Sequence, residues 1–399
     1  MINMKSILMV CYGGGHVKII APLYQALNTK YDITILALTT AGNYLESLNI
    51  PFERFSDFSE LLTEDVINFG EKLINGMEPN PLVPRQETLA YHGLSFKDLV
   101  LSEGSVDLAT EKFSEKGRSA FLPINTLEKI IQSLKPDLVL ATNSPRAEKA
   151  AFLAAKANGL PTVCVNDNVW INGGAKQLAE LGCVDNFCVL SQEVKNELLS
   201  EVEMPASNIV VTGTPVFDQL KFAFESRKLH KNRKIVILLA DCDLPSSNPL
   251  YPGVTADPYL GEKVRLELDR LARKNNWSVI FRPHPNQDYD YKQYRNIKIS
   301  QKNEALHEVL IKSDVVITAI STVGVEGKVI GKGLVSIEGS IYRAAGSYAS
   351  LGLATGINDP KELEKAINKE LKCRNQDNKP LYEGVSISNI ERCIDKLLI

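Results

Sequence analysis

The sequence predicts an α/β protein built from two Rossmann-like, doubly wound parallel sheets. Short apolar runs of strand type alternate with amphipathic helical runs along most of its 399 residues. That alternation implies parallel strands covered by helices on both faces. The first strand ends in Gly13-Gly14-Gly15-His16, directly before a helical run. The rhythm halts at Thr212-Gly213-Thr214-Pro215 and starts afresh beyond a basic stretch, 227–234. A chain of this length is most simply two domains of about 150–200 residues each. The predicted division is a first domain over 1–215, a second over 216–380, and a final helix in 381–399 that returns to the first.

Taken in order, Ile7–Cys11 reads as a strand and Lys18–Asn28 as a helix, followed by a strand at Ile33–Leu38 and a helix at Asn43–Leu48. Ile50–Phe55 reads as a third short strand. Residues 56–122 break the pattern, with Pro79, Pro81, Pro84 and several helical patches, and are expected to form a helical insertion that shapes an acceptor site. Within it, Tyr91 and His92 either reach a substrate or sit at an exposed helix end, and Arg118 either binds an acidic group or is a plain surface residue. The alternation resumes with helix Ile124–Leu134, strand Leu138–Ala141, helix Ala147–Asn158 and strands Thr162–Val165, Val184–Leu190 and Ile209–Val211. In the second half, strands are expected at Ile235–Ala240, Ser278–Phe281, Ile297–Ile299, Val315–Thr318 and Leu334–Ile337, and helices at Glu262–Lys274, Glu304–Ile311, Val325–Ile330, Lys361–Leu371 and Ile387–Leu398.

Composition narrows the function classes. At 44% hydrophobic and 23% charged residues this is ordinary globular material, and a net charge of −3 argues against nucleic acid as a general partner. No apolar run approaches the roughly 20 residues a membrane span needs. The apolar run near Lys5 leads into glycines with no small-residue cleavage site, which is not the pattern of a signal peptide. The seven cysteines are an odd number without a C-x-x-C pair, as expected of reduced thiols in a cytoplasmic protein.

Ligands of open α/β sheets bind outside the carboxyl ends of the strands. Three loops fall at that edge of the first domain: Gly13-Gly14-Gly15-His16, the polar loop Thr142-Asn143-Ser144-Pro145-Arg146, and Asn166-Asp167-Asn168. Glycines let a backbone turn tightly and approach a ligand, and a helix start favours an anion. His16 is the candidate general base, because an imidazole takes a proton from a sugar hydroxyl near neutral pH. Asp167 and Asp137 are candidates to orient it, and Asn143, Ser144 and Arg146 to bind substrate. In the second domain Arg282-Pro283-His284-Pro285 follows a strand as a stiff loop offering donors to phosphate oxygens. Ser321-Thr322-Val323-Gly324 gathers hydroxyls and backbone N–H groups at a helix start, either as an anion seat or as an ordinary N-cap. Glu326, one turn on, either accepts ribose hydroxyls or complements the helix dipole. Asp241-Cys242-Asp243 has the spacing of a metal motif, but a loop pair is the plainer reading, and no metal or cofactor is expected.

On these residues the chain resembles the two-Rossmann-domain (GT-B) glycosyltransferase superfamily over nearly its whole length. Gly13-Gly14-Gly15-His16-Val17 resembles the glycine loop of the enzyme that adds N-acetylglucosamine to lipid-linked muramyl peptide. The resemblance implies His16 as catalytic base. Val211–Asp218 is similar to the interdomain segment of those enzymes and of the UDP-N-acetylglucosamine 2-epimerases. Ser313–Thr318 with Glu326 and Gly331 resembles their nucleotide-binding unit. Arg282-Pro283-His284-Pro285 with Ser321-Thr322 resembles the His-Pro and Ser-Ser/Thr motifs of bacterial sialyltransferases, capsular Kdo transferases and CDP-glycerol phosphotransferases. It implies that His284, Ser321 and Thr322 hold the phosphate of a CMP-activated sugar acid.

The resemblance therefore implies two domains facing a cleft and an inverting, metal-independent transferase. The donor is a nucleotide sugar and the acceptor a glycan or lipid-linked glycan of a capsule or other surface polymer. Any membrane contact is peripheral, at the inner face. A nucleotide-sugar epimerase or hydrolase, or a non-catalytic nucleotide-sugar-binding module, is the competing expectation. The 2-epimerases carry an arginine in the first loop where this chain has glycines.

Overall fold

A computed structural model describes residues 4–166, 169, 173–218, 220, 234–240, 244–248, 251–283, 293–301, 304–373 and 384–399. The chain divides into two units, Met1–Val216 with Val385–Ile399, and Phe217–Gly384.

The first unit carries strands β1 (Ser6–Cys11), β2 (Asp32–Ala37), β3 (Leu138–Ala141), β4 (Thr162–Val165), β5 (Asn186–Val189) and β6 (Ile209–Val211). Their order is β2-β1-β3-β4-β5-β6, all parallel. The helices are α1 (Gly15–Leu27), α2 (Ala41–Ser47), α3 (Glu64–Ile74), α4 (Arg85–Glu103), α5 (Val106–Lys116), α6 (Ile124–Leu134), α7 (Ala147–Ala157), α8 (Gly173–Glu180) and α9 (Gln192–Glu201), and the division between the units falls within the short α10 (Pro215–Asp218). Residues alternate across β1: Leu8 and Val10 enter one core with Phe55, Tyr91, Phe121 and Phe152, while Ile7, Met9 and Cys11 enter the other with Ile20 and Leu23. A sheet buried on both faces explains why these strands read as continuous apolar runs. Sheet order reverses between β1 and β3, so their carboxyl ends flank the switch point where such sheets bind ligands.

The second unit has β7 (Val236–Ala240), β8 (Ser278–Arg282), β9 (Ile297–Ile299), β10 (Val315–Thr318), β11 (Gly333–Ile337) and β12 (Thr355–Ile357), in the parallel order β12-β11-β10-β7-β8-β9. Its helices are α11 (Leu260–Asn275), α12 (Leu306–Lys312), α13 (Val323–Val329) and α14 (Leu363–Cys373). The last helix, α15 (Ser386–Leu397), belongs to the first unit. Its Ile390, Cys393 and Ile394 are buried in the core that holds Ile7 and Met9. Asp395 accepts hydrogen bonds from Tyr31 Oη (2.6 Å) and Lys30 Nζ (2.8 Å), and Asn186 Nδ2 donates to the Cys393 carbonyl (3.3 Å).

The strand expected at Ile50–Phe55 does not form. Only Glu53 bridges Leu36, donating to the Ile35 carbonyl and accepting from the Ala37 N–H, both at 2.8 Å. Pro51 offers no N–H to a ladder, and a 3₁₀ turn begins at Phe55. β12 and α8 were not expected: the first spans three residues, and the second opens on two glycines that carry no apolar signal.

Candidate functional site

The site grows from the carboxyl end of β1. Gly14 stands at φ +74°, in the left-handed region that favours glycine, and turns the chain into α1. Gly13 meets a different demand: a Cβ there would lie 1.9 Å from Thr40 Oγ1, so the loop after β2 occupies that volume. Gly15 opens α1, whose start has no side-chain cap. His16 follows in the first turn, half-buried at the sheet edge.

Strand pairing brings a second loop beside it. Val10 pairs with Ala141, so Thr142 emerges at the same edge as the glycine loop. His16 Nδ1 lies 2.5 Å from Thr142 Oγ1, and the Thr142 hydroxyl lies 2.5 Å from Glu148 Oε2. Glu148, in the first turn of α7, is fully buried and also accepts the Tyr12 N–H at Oε1 (3.0 Å) and the Ser144 N–H at Oε2 (2.8 Å). A hydroxyl has one proton to give. Thr142 gives it to the carboxylate, so it accepts from His16 Nδ1–H, and in the neutral ring the lone pair resides on Nε2. Glu148 Oε2 itself stands 3.7 Å from Nδ1. A partly buried histidine, its tautomer fixed through a hydroxyl by a buried acid, has the arrangement of a general base.

Several expected residues take other places. Asp137 cannot orient His16: it precedes β3, at the opposite edge of a parallel sheet, where it accepts the Ser6 N–H (2.8 Å) and pairs with Lys5. Asn143 and Ser144 are buried, and the Ser144 N–H is spent on Glu148. Arg146 lies over the Tyr12 ring, 4.9 Å from its centroid. Asp167 lies outside the described residues. Sequence reasoning missed Glu148, because an acid in the first turn of a helix also reads as a complement to the helix dipole.

The helical insertion is built from α3, α4 and α5. Tyr91 and His92 are not at an exposed helix end; both are buried in the middle of α4. Tyr91 Oη lies 3.0 Å from Tyr12 Oη, which accepts the Ala147 N–H (3.4 Å), so this insertion is bonded to the loop that carries His16. Burial, and next the neighbouring Tyr91, push the Tyr12 phenol well above its ordinary range. Against α4 lies a cavity of about 360 Å³ whose wall includes Thr39, Glu87, Tyr91, His92 and Arg118, a volume within the range of small-molecule sites. Arg118 is exposed yet lines this cavity.

In the second unit, Arg282 ends β8 with Nη1 already donating to Ser300 Oγ (3.2 Å) and the Glu304 carbonyl (2.9 Å). Ser321 Oγ accepts the Val323 N–H (3.4 Å), while Thr322 is exposed at the start of α13 and makes no side-chain cap. Tyr348 Oη fixes this loop by donating to the Ser321 carbonyl (2.9 Å). Gly324 serves packing, since a Cβ would come within 2.8 Å of Thr318 Cγ2. Glu326 is half-buried on α13. His284 and Pro285, like Asp241 and Asp243, lie outside the described residues. Among the described residues no group of His, Cys, Asp and Glu forms a metal-binding cluster, and no helix is long and apolar enough to cross a membrane.

A scan of protein-family models finds no match, and no curated protein matches either. Solved structures do. The chain is similar to UDP-GlcNAc 2-epimerase from Neisseria meningitidis, bound to UDP-GlcNAc, at 17% identity and TM-score 0.60, covering 98% of this chain and 100% of that one. It is similar to UDP-GlcNAc 2-epimerase from Methanocaldococcus jannaschii at 15% identity and TM-score 0.61, covering 98% and 99%. It is also similar to MurG of Acinetobacter baumannii at 15% identity and TM-score 0.55, covering 98% and 99%. At these identities the likeness shows the fold, an α/β fold of the GT-B kind with two Rossmann-like units.

Proposed function

We propose that the chain is an enzyme that acts on a nucleotide-activated sugar, and that its reaction is inverting glycosyl transfer without a metal. The observation that carries this reading is the chain of hydrogen bonds His16–Thr142–Glu148 at the switch point of the first sheet. His16 Nε2 takes the proton from an acceptor hydroxyl. The freed oxygen attacks the anomeric carbon, the bond from that carbon to the donor phosphate breaks, and the nucleotide leaves with the electron pair. The positive charge gained by the imidazole is balanced by Glu148 across Thr142.

Arg282, His284, Pro285, Ser321, Thr322, Gly324 and Glu326 are the proposed nucleotide-binding set, with the phosphate on His284, Ser321 and Thr322. Gly13, Gly14, Gly15, Asn143, Ser144 and Arg146 form the proposed substrate side, with Asp167 a reserve acid or base. The His-Pro and Ser-Thr motifs favour a CMP-linked sugar acid as donor over a UDP-sugar, and a capsule or other surface glycan as acceptor.

A second reading, a UDP-N-acetylglucosamine 2-epimerase-like enzyme, draws support from the fold shared with the Neisseria and Methanocaldococcus epimerases. One experiment separates the two. The purified chain is incubated with CMP-sugar acids and with UDP-GlcNAc, with and without glycan acceptors, and products are resolved by mass and by NMR. Transfer gives nucleotide release that depends on acceptor, and His16→Ala lowers it by about 10²–10⁴-fold. Conversion of UDP-GlcNAc to its 2-epimer in the absence of acceptor overturns the transferase reading.

A further inference from the structure

Arg146 ends the loop that leaves the carboxyl end of β3, half-buried, with its guanidinium over the Tyr12 ring. That ring is itself held in place: Tyr12 is buried, and its Oη lies 3.0 Å from Tyr91 Oη and accepts the Ala147 N–H (3.4 Å). Stacking engages the face of a guanidinium and leaves its N–H edge in a fixed plane. Glu148, two residues on, spends both oxygens on Tyr12, Thr142 and Ser144, and among the described residues no carboxylate pairs with Arg146. A half-buried guanidinium with an unspent edge suits a planar anion, which it grips with two N–H groups.

Pro145, the residue before it, lines an open groove of about 600 Å³ that runs along α4, α5, α6, α7 and α8. Five charged side chains line that groove: Asp98, Glu103, Lys112, Lys116 and Lys149. They do not cancel. Asp98 is buried, and its Oδ2 accepts the Thr126 N–H (2.9 Å). Glu103 is paired with Lys112 Nζ at 2.6 Å. Lys149 Nζ donates to a neutral amide, Gln177 Oε1 (2.9 Å), and Lys116 is exposed, its nearby acid being the Glu103 that Lys112 already holds. With Arg146, two ammonium groups are thus left for anions. A neutral or cationic ligand does not meet them. A nucleic acid strand brings anions but also bases that need aromatic faces to stack on, and the aromatic side chain in the lining, Phe121, is buried. An acidic saccharide brings spaced anions with hydroxyls between them, which the neutral polar lining, Ser119 and Gln177, can meet. We propose that Arg146 and this groove bind an acidic saccharide chain, one carboxylate or phosphate lying on the Arg146 edge and further acidic groups on Lys149 and Lys116. That a saccharide carries the anion rests on the transfer reaction proposed above, whose acceptor is then a polyanionic glycan; that the ligand is anionic rests on the groove and Arg146.

The test is calorimetric titration of the full chain with oligosialic acid, a phosphodiester-linked oligosaccharide, neutral dextran, oligoglutamate and a single-stranded oligonucleotide. At least one of the two acidic saccharides is expected to bind, the tighter of them telling carboxylate from phosphate, and dextran is not. Binding is expected to weaken as salt rises from about 0.05 M to about 0.2 M. Lys116→Glu combined with Lys149→Glu is expected to lower affinity roughly tenfold or more. Arg146→Lys keeps the charge but loses the flat fork, and is expected to lower it by a similar factor, roughly tenfold. Lys365→Glu with Lys369→Glu, both exposed on α14, makes the same change in net charge and is expected to leave affinity unchanged. The proposal is overturned if neither acidic saccharide binds, if dextran, oligoglutamate or the oligonucleotide binds as tightly, or if the Lys116/Lys149 variant keeps the wild-type affinity. Binding lost in that variant, in a chain that turns over no nucleotide sugar, leaves this inference standing and sinks the transfer reaction. Transfer to a neutral acceptor with a KM that the same variant does not change does the reverse.

Discussion

The single proton of the Thr142 hydroxyl decides which nitrogen of His16 can act. Because that proton goes to Glu148, Nδ1–H must donate to Thr142, and the neutral ring carries its lone pair on Nε2. Thr142→Val keeps the shape and deletes the link; kcat is expected to fall about 10–100-fold with donor affinity unchanged, read by steady-state kinetics and a binding titration. Glu148→Gln is more disruptive. Both carboxylate oxygens accept hydrogen bonds, so an amide NH₂ must face a donor on one side, at a stability cost of about 1–3 kcal/mol as well as a comparable loss of kcat. Glu87 yields a pH prediction. Burial raises its carboxyl from 4.5 to about 7, against the opposing pull of the Ser56 hydrogen bonds and Arg54 and with some help from Asp57. The folded state thus holds this proton where the unfolded chain has lost it. The contribution is fully present below about 4.5 and lost as pH rises through about 7, a span of about 3 kcal/mol. Denaturant unfolding of the wild type and Glu87→Gln across that range is expected to show the wild type losing stability relative to the variant as pH rises.

At the level of elements, what could be read from the sequence was what lies within one loop or one strand. The glycine loop and His16 are contiguous, so their meeting with α1 was legible. Glu148 was not, because its partner Tyr12 is 136 positions away and only the β1–β3 register joins them. Asp137 illustrates a rule that was available: residues before a strand of a parallel sheet lie at the edge opposite those after it, and Asp137 bonds Ser6 there. Tyr91 and His92 were open to misreading because α4 is buried along most of its middle, from Ala90 to Phe96, leaving no polar face to mark its orientation. The glycine loop itself supports a contrast. Gly14→Ala has open space around the new methyl and pays for its backbone alone, φ +74° with ψ −129°, at about 1–3 kcal/mol. Gly13→Ala collides with Thr40 Oγ1 and the Ala41 backbone, moves the loop, and is expected to reduce turnover far more than its thermal stability loss of about 1–3 kcal/mol would imply. Melting and kinetic measurements on both variants check this.

For the molecule as a whole, both sheets place an order reversal where loops converge, between β1 and β3 in one unit and between β7 and β10 in the other. The halves were legible as repeated strand–helix alternation, since period and run length survive without tertiary knowledge. The first unit is discontinuous in sequence, and its second core face is finished by α15. Ile394 is fully buried there, so Ile394→Ala is expected to cost about 2–5 kcal/mol in denaturant unfolding. Asp395→Asn, which weakens an exposed ion pair with Lys30, is expected to cost under about 1 kcal/mol.

That closing helix also sets a timetable. During synthesis the apolar face formed by Ile7, Met9 and Ile20 is in place early, yet Ile390 and Ile394, which cover it, leave the ribosome only after all of 217–384 has been translated. At bacterial and eukaryotic elongation speeds that interval is roughly ten to thirty seconds. For that time the nascent chain carries an unsealed hydrophobic surface, long enough for a chaperone to engage it or for two chains on one messenger to stick together.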